Sequence, residues 1–276
     1  MLMPAQVLWY LFSKPVPYEA ALKLQENLHC LQLSRRRRDL NCPEILLLLE
    51  HRPVYTTGRR QRLDALANER RRLQRLGAES IATRRGGETT FHGPGQVVGY
   101  PLLDLRRMSV SPTELLPESE NDLGQLSVRD YVCLLQQMMT SFAHGHGVPT
   151  ARSDHTGVFV SPTAKLGSIG VQVRHRFTTH GFSINITEEP IPWFRQVVAC
   201  GLPGVEATSI AGVKGTAMTV NDCAKGLKLH FEAHFGTKLH PASHSNDEEV
   251  REMLCEAERA AALAGSWKRG PGHEGK

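Results

Sequence analysis

The chain lacks the features that define several common protein classes. None of its apolar runs reaches the ~20 residues that a transmembrane helix needs, so we expect no membrane span. Its 6 cysteines include no Cys-x-x-Cys pair, which argues against a disulfide framework or a zinc site and favours free thiols in a reducing compartment. No His-Glu-x-x-His motif occurs, and we expect no metal site.

Fingerprints for nucleotides and nucleic acids are also missing. Gly93-Pro94-Gly95 begins like a Gly-x-Gly-x-x-Gly motif, but Val98 stands where the third glycine belongs. No Gly-x-x-x-x-Gly-Lys-Ser/Thr motif occurs, so we expect neither ATP nor NAD and no cofactor. The formal net charge is +5, and we interpret the arginine run at 35–38 as a solvated loop. No zinc knuckle or aromatic-interleaved basic motif accompanies it, so we expect no nucleic-acid partner.

The first residues and the polar segments set the expected boundaries. Residues 1–12 have no basic start and no Ala-x-Ala cleavage site, which predicts no secretory signal. A polar stretch at 109–126 predicts an inserted, mobile loop. We expect residues 1–240 to form one domain and residues 241–276 to be a polar C-terminal tail, partly helical or disordered.

Apolar patterning predicts an α+β domain with a mixed β-sheet flanked by helices. The uninterrupted run from Ile45 to Leu49 is typical of a strand buried on both faces. The Met-rich segment from Val128 to His144 has apolar residues at helical spacing, which predicts a core helix. We further predict a loop at 34–43, a turn at 51–59, strands at 7–12, 80–83, 97–105, 156–160, 165–174 and 177–186, and helices at 17–33, 63–76, 224–235 and 248–264.

A glycine-rich stretch precedes the strand at 97–105. Glycines at 86, 87, 93 and 95, with Pro94, allow tight turns and a close approach of the backbone to a ligand. An ordinary turn between two strands is the alternative interpretation. The charged and polar residues between the glycines favour a site, and they are Arg85, Thr89, Thr90, His92 and Gln96.

Two further residues are candidates for chemistry. Cys200 lies in Ala-Cys-Gly-Leu-Pro-Gly, where nearby backbone N–H groups could favour a thiolate and later hold an oxyanion; the alternative is a structural cysteine. Lys165 begins an apolar, glycine-rich strand, either as a solvated side chain or as a cation that favours the Cys200 thiolate and accepts a proton when neutral. His92 and His180 each precede a glycine and could line a pocket, but no obvious carboxylate orients them for a Cys–His hydrolase.

Taken together, four segments resemble the lipoyl(octanoyl) transferase family, which moves an octanoyl group from acyl carrier protein to a lysine of lipoyl domains. The resemblance covers residues 7–240 and rests on 46–59, 85–96, 165–170 with 180–185, and 199–201. It implies the fold of biotin and lipoate protein ligases, which is similar to that of class II aminoacyl-tRNA synthetases. Residues 1–240 would then be the catalytic domain.

The same resemblance implies roles for individual residues. Cys200 matches the acyl-thioester nucleophile, and Lys165 matches the lysine that favours the thiolate and acts as acid and base. Two positions depart from the common pattern, with Phe91 in place of Tyr and Ser183 in place of Ala. The segments implied to bind the acyl substrate are Arg85, Gly86, Gly87, Glu88, Thr89, Thr90, Phe91, His92, Ser168, Ile169, Gly170, Gly181, Phe182 and Ser183.

The implied partners are octanoyl-acyl carrier protein as donor and, as acceptors, the lipoyl domains of 2-oxoacid dehydrogenase complexes and the H protein of glycine cleavage. The polar insert and tail favour a mitochondrial enzyme, with the bacterial cytoplasm as the alternative. Two other functions stay open. One is an ATP-dependent lipoate or biotin protein ligase, which an ATP requirement would reveal. The other is a non-catalytic module that binds carrier protein or lipoyl domains, and it would tolerate Cys200→Ala.

Overall fold

The computed structural model describes residues 7–41, 43–59, 66–108, 126–267 and 271. Its elements, in chain order, are β1 (Val7–Leu11), α1 (Tyr18–Arg37), β2 (Glu44–Leu49), β3 (Val54–Thr57), α2 (Leu66–Arg75), β4 (Glu79–Ala82), β5 (Thr90–His92), β6 (Gln96–Leu102), α3 (Val128–Gly145), β7 (Val158–Ser161), β8 (Ala164–Arg174), β9 (Phe177–Asn185), α4 (Ile191–Phe194), β10 (Glu206–Ala207), α5 (Ile210–Lys214), α6 (Val220–Phe235), β11 (Leu239–Pro241) and α7 (Glu248–Leu263).

The strands form two mixed sheets, which confirms the predicted α+β class. In the larger sheet the order is β10-β8-β9-β6-β2-β1-β11, and β7 pairs with the N-terminal part of β8. Strands β2, β6, β9 and β8 run antiparallel in succession, whereas β1 is parallel to both β2 and β11. The smaller sheet has the order β4-β3-β5, and β5 contacts the turn at 199–201.

Strand β2 divides the interior into two hydrophobic cores. All of its residues are buried, as the uninterrupted apolar run predicted. Because side chains alternate across a strand, Leu46 and Leu48 pack into one core with α3 and α6. Ile45, Leu47 and Leu49 pack into the other core with α1 and α7. The sheet is therefore covered by helices on both faces.

Helix α3 supplies one side of the first core. It begins after Ser127, whose side chain caps the helix by accepting a hydrogen bond from the Asp130 N–H. Met138 and Met139 are buried in the core, as the helical spacing predicted. Their burial fixes the face of α3 that meets β8, the strand carrying Lys165.

Two local predictions are wrong. The loop predicted at 34–43 begins later, because α1 continues to Arg37; arginine is a good helix former and suits a helix C-terminus. Arg35 also pairs with Asp247 at 2.9 Å, which ties this last turn to the start of α7. The turn predicted at 51–59 contains strand β3, whose Val-Tyr-Thr-Thr sequence pairs with β4 and β5.

The C-terminal segment is part of the packed body. Helix α7 was predicted at 248–264, and its buried residues Val250, Leu254, Ala257 and Ala261 enter the second core beside α1. Most of the predicted insert, at 109–125, lies outside the described residues. Among the residues that are described, no helix is both long enough and apolar enough to cross a membrane.

Candidate active site

A cavity of about 390 Å³ opens where β8 and β9 meet the glycine-rich loop and the turn at 199–201. It brings together Cys200, Lys165 and every residue implied to bind the acyl substrate except Thr89 and Phe91, and Gln96 of the glycine-rich stretch also lies outside its lining. The full lining is Tyr18, Arg85, Gly86, Gly87, Glu88, Thr90, His92, Tyr100, Val132, His155, Thr156, Lys165, Ser168, Ile169, Gly170, Val171, His180, Gly181, Phe182, Ser183, Cys200, Gly201 and Leu202.

Cys200 occupies a constrained backbone position at the cavity edge. Its φ is 57°, in the left-handed region that costs a residue with a Cβ roughly 1–2 kcal/mol. Its N–H donates to the carbonyl of Thr89 at 2.7 Å, so this N–H is not free to hold an oxyanion. Gly201 follows with φ 66°, and a Cβ there would lie 2.1 Å from a carboxylate oxygen of Glu88. The turn therefore holds the Cys200 thiol in one place, as strained sites often do.

Two side chains of β8 share the cavity edge with the thiol. The Ser168 hydroxyl lies 3.8 Å from the Cys200 sulfur, within hydrogen-bond range for sulfur. The Lys165 ammonium donates to the carbonyl of Thr156 at 3.0 Å. Lys165, Ser168 and Cys200 are all half-buried, and we call them the reactive edge. The arrangement places a thiol, a hydroxyl and a cation around one opening.

Arg85 fixes the glycine-rich loop from inside. Its guanidinium is buried and donates to both the carbonyl and the hydroxyl of Thr56, and to the carbonyls of Gly86 and Glu88, at 2.6–2.9 Å. No carboxylate among the described residues pairs with it, and burial lowers its pKa. Hydrogen bonds to oxygen atoms of Thr56, Gly86 and Glu88 thus stabilise the Arg85 cation and hold the glycine-rich loop at the cavity.

Five large polar side chains of the lining are buried, and we call them the buried wall: Tyr18, Arg85, His92, Tyr100 and His180. Burial lowers the pKa of His92 and of His180 to about 3, and the Arg85 charge adds to both shifts. Burial raises the pKa of Tyr18 to about 12. At neutral pH both imidazoles and both phenols are therefore uncharged, and Arg85 carries the wall's charge.

His51 supports this wall from behind. Its Nδ1 lies 2.9 Å from the Val16 carbonyl, which can only accept, so Nδ1 carries the proton. Its Nε2 therefore accepts from the Tyr100 hydroxyl at 2.7 Å. Burial lowers the pKa of His51 to about 4, which agrees with a neutral ring.

Two of the residues implied to bind the acyl substrate lie outside the cavity lining. Side chains alternate along β5, so Thr90 and His92 face the cavity while Phe91 points to the opposite side. Phe91 stacks on Trp193 with ring centroids 5.1 Å apart. Thr89 contributes its carbonyl to the Cys200 turn instead of lining the cavity.

The lining also contains residues that sequence patterns did not single out. They include Tyr18, Tyr100, Val132, His155, Thr156, Val171, Gly201 and Leu202. Tyr18 lies at the start of α1, and its hydroxyl is 3.5 Å from Nδ1 of His180, 162 positions away. Only the folded chain brings such residues together. Tyr100 and Gly201 were within reach of sequence reasoning, because each lies in or next to a segment already implicated.

A family model for the lipoyl protein ligase A/B catalytic domain matches residues 17–232. The chain belongs to this family. Among the similar curated proteins of the lipoyl protein ligase A/B family is an octanoyltransferase of Caldicellulosiruptor saccharolyticus, 30% identical over 89% of this chain and 96% of that protein. Another is the mitochondrial octanoyl-[acyl-carrier-protein]:protein N-octanoyltransferase of Danio rerio, 37% identical over 71% of this chain and 78% of that protein.

Solved structures show that the fold of this family is present. A bi-partite lipoate protein ligase from Thermoplasma acidophilum superposes with a TM-score of 0.58 and 10% identity, covering 92% of each chain. At that identity the likeness concerns the fold alone. It confirms the predicted lipoate-ligase-like architecture.

Proposed function

We propose that this protein transfers an octanoyl group from octanoyl-acyl carrier protein to the lysine of a lipoyl domain, through a thioester on Cys200. The observation that supports this most is the reactive edge, where Cys200, Ser168 and Lys165 line one cavity. The names of the similar octanoyltransferases supply the substrate class. Thr90 adds a buried hydroxyl without a hydrogen-bond partner in the described structure, available to a ligand in the cavity.

In the first half-reaction the Cys200 thiolate attacks the thioester carbonyl of the donor. A tetrahedral oxyanion forms, and Ser168 is a donor close enough to the sulfur to stabilise it. The intermediate collapses with loss of the carrier's thiolate, which takes a proton from the Lys165 ammonium. One thioester replaces another, so the step is close to isoenergetic and needs no ATP.

In the second half-reaction the acceptor lysine attacks octanoyl-Cys200. Lys165, neutral after the first step, accepts a proton from the incoming ammonium and so generates the nucleophilic amine. The attacking nitrogen loses its second proton to solvent, and collapse of the second tetrahedral intermediate forms the amide and releases the Cys200 thiolate. Lys165 is protonated again, and the enzyme returns to its starting state.

The acceptors would be the lipoyl domains of 2-oxoacid dehydrogenase complexes and the H protein of glycine cleavage. We place the protein in mitochondria, because relatives from Drosophila melanogaster, Danio rerio and Arabidopsis thaliana are named mitochondrial. Bacterial octanoyltransferases are equally similar, so the bacterial cytoplasm is the alternative compartment. We assign the catalytic domain to residues 1–240, supported by the family match at 17–232.

The intact mass of the protein after mixing with octanoyl-acyl carrier protein tests this proposal. Without ATP, the wild type should gain one octanoyl group that hydroxylamine removes, and Cys200→Ala should gain none. Adding a lipoyl domain should discharge the adduct onto its lysine. No adduct on the wild type, together with lipoyl-domain modification that requires ATP and free octanoate, would instead establish a ligase. Equal partner binding without any acylation would establish a binding module.

A further inference from the structure

Phe159 is a buried aromatic residue with an unusual environment. It lies on β7 and is 1% exposed, yet it belongs to none of the three hydrophobic clusters formed by the described residues. Its neighbours Val158 and Val160 both contact the first core. The ring of Phe159 is therefore buried outside these three clusters.

The ring faces the side chain of Lys165. The Lys165 ammonium lies 5.1 Å from the Phe159 ring centroid, within the distance of a cation–π contact. Phe159 and Lys165 are direct partners in the antiparallel ladder of β7 and β8, so their side chains share a face. The register shifts on both sides of this pair. Such bulges re-aim individual side chains, and here they set Phe159 against Lys165.

A second group holds the same ammonium. The Thr156 carbonyl accepts one of its hydrogens at 3.0 Å, from the segment that leads into β7. Gly157 makes room for this arrangement, because a Cβ there would lie 2.7 Å from Cε of Lys165. The ammonium is thus held by one carbonyl and one ring face, and it has a third hydrogen to direct into the cavity.

We infer that Phe159 is a positioning residue for Lys165 that sets the balance between the two half-reactions. The inference rests on the proposed function. The negative face of the ring attracts an ammonium and has no such attraction for a neutral amine. It therefore favours the protonated Lys165 that supports thiolate attack and donates to the leaving carrier thiolate.

Other ionisable groups lie around Lys165, and one of them, His155, also contacts the Phe159 ring with ring centroids 6.5 Å apart. Besides the buried wall, Glu88, His155 and Cys200 line the same cavity. Glu206 lines a small adjoining cavity with Lys165. A variant that keeps the ring's volume but not its negative face preserves the contact with His155 and isolates the cation–π contribution of Phe159.

The molecule offers a matched control in Phe177. This residue is 0% exposed, lies outside the same three clusters, and carries the Arg36 guanidinium 4.2 Å from its ring centroid. It does not line the cavity. Phe177→Leu therefore removes a buried ring and a cation–π contact of the same kind, away from the reactive edge.

The test measures single-turnover acylation by octanoyl-acyl carrier protein as a function of pH, and deacylation by a lipoyl domain. Two changes remove the ring's negative face: Phe159→Leu, and pentafluorophenylalanine at position 159, which keeps the ring's volume. Both should slow acylation by roughly three- to tenfold and move the alkaline limb of its pH profile to lower pH. Phe159→Tyr should behave as the wild type, and Phe177→Leu should lose thermal stability without a change in the profile.

Two results would overturn the inference. One is a pentafluorophenylalanine variant whose pH profile and acylation rate match the wild type. The other is an equal shift of the profile in Phe177→Leu. A wild type that forms no octanoyl adduct would remove the proposed function itself, and that outcome is seen before any variant is compared.

Discussion

The buried wall and the reactive edge line the same cavity but use their polar groups differently. On the buried wall, the Arg85 guanidinium donates hydrogen bonds to four acceptors, and Nδ1 of His92 is hydrogen-bonded to Oε1 of Gln96 at 2.7 Å. On the reactive edge, Lys165 makes one hydrogen bond to a carbonyl, and Cys200 has a single weak partner in Ser168. The comparison indicates that polar groups with several hydrogen bonds fix the shape of this cavity, whereas polar groups with few hydrogen bonds remain available to react with a substrate.

The largest expected effect falls on the reactive edge. Lys165→Ala should lower the rate of acylation of Cys200 by roughly 10²–10⁴-fold, because it removes the proton donor for the leaving thiolate. Its melting temperature should stay near the wild-type value, since the side chain is half-exposed. Single-turnover mass spectrometry and thermal unfolding measure the two quantities. Lys214→Ala is the control, an exposed lysine of α5 outside the cavity; equal losses in both variants would contradict the role of Lys165.

A substitution in the buried wall should lower the free energy of unfolding of the protein. Arg85→Met leaves the Thr56 and Glu88 carbonyls without their buried donor, and we expect a loss of about 3 kcal/mol in the free energy of unfolding. Urea unfolding measures this loss. Arg84→Met changes an exposed arginine one position earlier and should cost little. If Arg85→Met kept full stability but lost activity, Arg85 would belong with the reactive edge.

A smaller effect should follow from crowding the reactive edge. The Cβ of Gly157→Ala would lie 2.6 Å from the Gly167 carbonyl and 2.7 Å from Cε of Lys165. Displacing Lys165 should slow acylation about tenfold. Gly204→Ala is the control for backbone strain, because Gly204 has φ 80° and open space around it. An equal slowing of acylation in both variants would assign the effect to strain alone.

The smallest effect concerns the pH dependence of stability. His51 is neutral when folded, with its pKa lowered to about 4, but is protonated below about 6.5 when unfolded. Its contribution to stability is therefore present above pH 6.5 and is lost as the pH falls towards 4. The stability difference between wild type and His51→Gln should shrink by about 1 kcal/mol from pH ~7 to pH ~5.5.

Denaturant unfolding at the two pH values measures that difference. Burial raises the pKa of Glu44 to about 7 and of Glu50 to about 6. These two groups therefore make the wild-type free energy of unfolding rise as the pH falls, opposite to the effect of His51. The comparison between variants cancels this contribution. His244→Gln, at an exposed histidine, should leave the slope unchanged. A constant difference between wild type and His51→Gln would show that His51 is charged in the folded state.

Much of the fold follows from local pattern. An uninterrupted apolar run predicted β2 and the helical spacing of apolar residues predicted α3, because both elements bury these side chains in a core. Strand β3 was missed because its pairing partners, β4 and β5, lie outside the large sheet and its sequence follows a proline. The end of α1 was missed because the arginines that extend it are held partly by Asp247, more than 200 residues away.

Some residues of the candidate site could likewise be predicted from the sequence, and others could not. Segments contiguous in sequence, such as the glycine-rich loop, were predicted together and lie together. Phe91 was grouped with them by position, although strand alternation turns it away from the cavity. Tyr18 could not be predicted, because its place beside His180 depends on how α1 crosses the sheet. Phe159 escaped notice because its role depends on a register shift.

The parallel pairing of β1 with β11 has a consequence for how the protein is made. Val7 is the register partner of Leu239, so the first described strand acquires this neighbour only after more than 200 further residues have been synthesised. The core behind β1 also waits for α7. Closing such a long loop is entropically costly and slow. A nascent chain that already carries Cys200 and Lys165 therefore still has β1 as an unpaired edge of its sheet.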